Sequence, residues 1–121
     1  MRPRGKVPVL MRADALAHLS DAVLLRDLDA LVSQERTATA AVLAHIAEVD
    51  ARRLYLPAGF PSMYDYCIGK LRLSEQAAMK RIRAGRTARR FPAIFAALAE
   101  GRLHLSAVVL LTPHLDRAQC R

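Results

Sequence analysis

Between Ser20 and Pro57 the chain carries neither proline nor glycine. Nothing in this run breaks a helix, and Leu24, Leu28, Leu31, Ala38, Val42 and Val49 recur at steps that return side chains to one helix face. Glu35 and His45 fall on the same seam and interrupt it. Ser20 is suited to cap the run, and Asp21 to sit in its positive first turn. Two outcomes are open. The run is one long helix, or two helices broken near Ser33 to Thr39, where Thr37 and Thr39 lower helix propensity. An unbroken helix to Arg53 would extend roughly 50 Å. A small globule cannot cover such a rod, so its seam is a candidate surface for a homodimer. The alternative is a domain that folds back along half of it. Val, Ile and Thr nowhere alternate over the length of a strand. The expected fold is all-α: a long N-terminal helix, whole or broken, followed by a helix-turn-helix-like bundle of short helices.

Pro57, Gly59 and Pro61 break the run, with Tyr55, Leu56 and Phe60 apolar enough to pin the loop to a core. From Ser62 to Arg90 the pattern is a short apolar helix, a turn and a strongly basic helix. Ser62 and Ser74 are good N-caps, and Asp65 suits a capping box with Ser62. Only Arg72 and Leu73 separate the two helical patterns, the layout of a helix-turn-helix. At about 100° per residue, Ala78, Ile82 and Gly85 share one narrow face of the basic helix. Gln76, Met79, Lys80, Arg83, Arg86 and Arg90 fall roughly opposite. In a recognition helix the first residues reach base edges and later cations meet phosphate. Gln76, Met79 and Lys80 are therefore candidates for base contact, and Arg83, Arg86, Arg89 and Arg90 for phosphate. The competing reading is a solvated charged face, the usual fate of Lys and Arg.

The formal net charge is +8 and the pI near 10.5, which favours a polyanionic partner. No stretch approaches the roughly 18 apolar residues that span a bilayer. The basic start, Met1 to about Val9, reads as an arm able to follow a phosphate backbone, or as an untethered terminus with incidental charge. Its apolar run VPVLM is too short for a secretion signal, so a cytoplasmic protein is expected. Cys67 lies among Met63, Tyr66 and Ile68 and reads as a small core residue, and a disulfide with Cys120 is not expected. One of Tyr64 and Tyr66 is expected in the core, the other free to stack or to bond a phosphate. Further on, Pro92 suits the start of a helix with Ile94, Phe95 and Leu98 as its core face, and Gly101 its end. Ser106 is read as the cap of a short helix ending near Thr112-Pro113, with Asp116 able to cap another.

Catalytic chemistry finds no foothold in the residues. His18, His45, His104 and His114 are isolated, without Cys, His or Asp at ligand spacing. His45 reads as a satisfied core or interface residue. The glycines are scattered, and no serine or cysteine sits in a nucleophile motif. No metal, cofactor or small-molecule substrate is expected.

Two motifs carry a family resemblance over roughly Asp21 to Leu115. One is G-F-x-S-x-x-x-Y-C, here Gly59, Phe60, Ser62, Tyr66 and Cys67. The other begins L-S-E-x-A-A at Leu73, continues through the basic helix and Phe91-Pro92, and ends L-A-E-G-R-L-H-L-S-A at Ala107. Together they resemble the helical N-terminal region of bacterial HNH-endonuclease-like proteins. The second motif is also similar, more weakly, to the helical DNA-binding segment of ParB-type partition proteins. The resemblance implies double-stranded DNA as partner, with a C-terminal HNH nuclease domain following the helical part. That domain's histidine base and metal ligands have no counterpart in this sequence. The expected organisation is a basic arm over residues 1–19 and one helical domain over 20–121, read as truncated before the nuclease. The expected function is a DNA-binding module without a nuclease site. The rival is a helical dimerisation or protein-interaction module with no nucleic-acid role.

Overall fold

The computed structural model describes residues 13–119, with side chains from 15 to 115. The basic start of the arm and Cys120 lie outside the described residues. Among the described residues six helices follow in order: α1 (Ala13–Leu16), α2 (Asp21–Arg52), α3 (Met63–Gly69), α4 (Glu75–Arg90), α5 (Ala93–Ala99) and α6 (Leu105–Gln119). No strand occurs among the described residues, so the fold is all-α. The chain divides into two units at Val32 and Ser33, inside α2.

The first unit holds α1 and the start of α2. Ser20 caps α2 as its sequence suggests, its Oγ accepting from the Val23 N–H at 3.2 Å. Leu24, Leu25, Leu28 and Leu31 are all exposed.

In the second unit, α2 continues without a break to Arg52. Thr37 is accommodated because its hydroxyl donates to the Ser33 carbonyl one turn back, at 3.1 Å. The helix stops before the prolines do any work. Arg53 turns into the left-handed region at φ 55°, and the Leu54 N–H reaches back to the Val49 carbonyl at 3.1 Å.

Two apolar clusters form this unit's core. One joins Ala40 and Leu43 of α2 to Ala84 and Ala88 of α4, Ile94 and Leu98 of α5, and Val108 of α6. The other joins Ile46 to Met63, Cys67, Ala78 and Ile82. Burial pushes the Cys67 thiol above its ordinary pKa, consistent with a packing role. The alanines and Gly85 of α4 are what let it press against α2. A Cβ built on Gly85 would lie 3.5 Å from the Leu43 carbonyl and 3.6 Å from the Ala47 Cβ, ordinary contact distances. Gly85→Ala is therefore expected to stabilise the fold by about 0.5–1 kcal/mol, because it removes unfolded-state freedom without a clash. A lowered urea midpoint for this variant would mean α2 and α4 are already closer than contact.

The C-terminal reading needs correction. Pro113 does not end a short helix; α6 runs from Leu105 through it to Gln119, so Ser106 lies inside the first turn and position 116 inside the same helix rather than at the start of another. Packing overrides the local signal here. Thr112, just before the proline, donates to the Val108 carbonyl at 2.9 Å, and its hydroxyl lies 2.7 Å from that of buried Thr87 on α4. That contact ties the proline's turn to the core. His45 is likewise not a core residue. It is exposed, and its Nδ1 bonds the Ala41 carbonyl of its own helix at 2.6 Å.

Candidate nucleic-acid interface

Helix α4 is positioned by both of its ends and by its inner face. Ser74 accepts from the Ala77 N–H at 3.1 Å and starts the helix. The connection from α3 spans Lys70 to Ser74 and turns at Arg72, whose φ is 62°. Ser62 caps α3 by accepting from the Asp65 N–H at 3.0 Å, while its own hydroxyl donates to the Asp65 carboxylate at 2.8 Å. Ala78, Ile82, Ala84, Gly85, Thr87 and Ala88 are buried, so the inner face of α4 is the one its spacing indicates.

The outer face borders two adjoining hollows. The first, about 560 Å³, is lined by Tyr64, Glu75, Gln76, Met79, Lys80, Arg83 and Val109. The second, about 400 Å³, is lined by Arg83, Arg86, Thr87, Arg90 and three residues of α6. Arg83 and Val109 border both. The far wall is α6, whose packing against α4 is a tertiary pairing that the spacing within neither helix contains. Lys80 crosses to this wall, its Nζ donating to the Ser106 Oγ at 3.1 Å.

The candidate cations are not equivalent. Arg83 is exposed and makes no ion pair among the described residues. Arg86 is engaged by Asp50, its Nε 2.7 Å and its second nitrogen 3.2 Å from the two carboxylate oxygens. This two-pronged bond raises the Arg86 pKa. Arg89 turns to α2, its guanidinium 2.6 Å from Glu48, which Arg52 also contacts at 2.7 Å. The bonds from Arg89 first, then Arg52, hold the Glu48 carboxyl below its ordinary range. Arg90 stands 5.4 Å from the centre of the Phe91 ring. So Gln76, Met79, Lys80 and Arg83 come together in one hollow, Arg83, Arg86 and Arg90 in the next, and Arg89 borders neither.

Both tyrosines are half-buried against the second cluster. Tyr64 lines the first hollow, where packing around its ring and then the Glu75 carboxylate push its phenol above the ordinary pKa. Tyr66 packs edge-on against Phe60 at 5.4 Å. Among the described residues, no group of three His, Cys, Asp or Glu side chains is placed to hold a metal ion, and no helix is long and apolar enough to cross a membrane. Compared with known proteins, the chain matches no family model, no curated protein and no solved structure.

Proposed function

We propose that this chain is a cytoplasmic DNA-binding module, of the kind that precedes the nuclease domain in the HNH-endonuclease-like proteins it resembles. One observation carries the reading. Gln76, Met79, Lys80 and Arg83 share a single open hollow along the first turns of α4, whose opposite face is docked in the core. Polar and apolar groups at the start of the helix then face base edges, and the cations that follow face phosphate. The net charge of +8 draws the chain to the duplex.

The test is binding of the full chain to a mixed-sequence duplex, followed by fluorescence anisotropy across salt concentrations. Lys80→Ala combined with Arg83→Ala is expected to weaken binding and to reduce the log–log salt slope by up to about two. No salt-sensitive binding by the unaltered chain would defeat the proposal. It would favour the interaction module, whose own support is the row of exposed leucines Leu24, Leu28 and Leu31.

A further inference from the structure

A further hollow, of about 280 Å³, lies within the second unit. Arg81 of α4 lines it together with Glu35, Arg36 and Thr39 of α2 and His104 of the connection to α6. Leucines on either side of Gly101 make up the rest of its lining. Arg81 stands about 200° round the helix from Arg83. No residue of this hollow borders either of the two on the outer face of α4.

Its polar groups lack protein partners. Arg86 and Arg89, which reach α2 from the same helix, find Asp50 and Glu48 there. Arg81 is half-buried, yet it makes no ion pair or hydrogen bond among the described residues. Thr37, Thr87 and Thr112 each donate to the carbonyl one turn back. Thr39 is half-buried too, and its hydroxyl makes no such bond among the described residues. Arg36 is seated by shape. A Cβ built on Gly101 would lie 2.8 Å from its Nη1, 2.9 Å from its Cζ and 3.0 Å from its Nε. The guanidinium therefore lies across a residue that only glycine can supply, at a φ of 79°. Glu35 pairs with neither arginine among the described residues. Two arginines against one carboxylate leave the hollow net positive even with His104 neutral.

We infer that this hollow binds the phosphate of a small phosphate monoester. A half-buried guanidinium without a counter-ion carries a desolvation cost that an anion offsets. One guanidinium fork is enough for a planar carboxylate. Two arginines from different helices, with a hydroxyl and an imidazole, place donors in several planes and suit a tetrahedral oxyanion. The leucine wall keeps water from these bonds and so strengthens them. A volume of about 280 Å³ is at the small end for a ligand site, so the group carried by the phosphate is short. The site is independent of the DNA reading.

The test is thermal unfolding of the full chain, followed by circular dichroism, with glycerol 3-phosphate as the probe and sodium chloride of equal ionic strength as the reference. The midpoint is expected to rise saturably, by about 5 °C when the probe stands at about ten times its dissociation constant. Arg81→Gln is expected to weaken the probe's affinity at least about tenfold. Thr39→Val keeps shape and charge and is expected to weaken it about threefold. Arg52→Gln removes a charge of α2 outside the hollow and is expected to leave it unchanged. No rise beyond chloride, an equal rise in Arg81→Gln, or an equal loss in Arg52→Gln would each overturn the inference. So would a duplex salt slope reduced by about one in Arg81→Gln with no response to the probe in the unaltered chain, since Arg81 would then belong to a nucleic-acid backbone contact.

Discussion

Replacing Leu43 by alanine is expected to lower stability by about 3 kcal/mol. Leu43 is 1% exposed and packs where α2 meets Ala84 and Ala88 of α4. Alanine is at least as good a helix former, so the loss comes from packing and not from propensity. The site cannot collapse easily. Its neighbours on α4 are already alanines and a glycine, and none has a side chain to swing into the gap. At roughly 4 °C per kcal/mol for a chain of this size, the thermal midpoint falls by about 12 °C. Leu28→Glu is the contrast within the same helix, since Leu28 is 56% exposed. Urea melts followed at 222 nm separate the two. A loss below about 1 kcal/mol for Leu43→Ala would mean that this cluster is not what joins α2 to α4.

The parts of the fold legible in the sequence are those decided locally. Ser20, Ser62 and Ser74 accept backbone hydrogen bonds three residues on, and Gly101 takes a left-handed φ of 79° after α5. The inner and outer faces of α4 follow from spacing alone, because its inner residues are small and its outer ones charged. What spacing does not contain is the partner that tertiary structure supplies. The Arg86–Asp50 bond joins residues 36 apart, and the Arg89–Glu48 bond joins residues 41 apart. Neither follows from the α4 pattern, in which Arg83, Arg86, Arg89 and Arg90 look alike. Pro113 misled for the same reason. A residue that stops helices by its own chemistry sits inside α6, because the Thr112–Thr87 contact holds that turn against α4. The second wall of the candidate interface went unread for the first reason, since the packing of α6 on α4 is not contained in the spacing of either helix.

That inequality among the arginines yields the largest expected functional effect. Arg83→Glu is expected to weaken duplex binding about 100-fold at 0.1 M salt and to reduce the salt slope by about two. The figure follows from charge. Reversal removes one cation and adds one anion, and each unit lost from phosphate neutralisation costs about tenfold at that salt. Arg83 is suited to so large an effect because it borders both hollows and no carboxylate among the described residues engages it. Arg89→Gln, on the same helix, is expected to change affinity by less than about threefold. For Arg89 to meet a phosphate it would have to leave Glu48, and its loss leaves Glu48 still held by Arg52. The two variants also differ in salt response. A positional role for Arg83 shows as a shallower slope, whereas general loss of fold lowers affinity and helical signal together. Equal losses from both substitutions would show that the ion pair with α2 does not decide which cation grips the polyanion. The whole basic face would then act as one diffuse field, and the hollow between α4 and α6 would have no special part in binding.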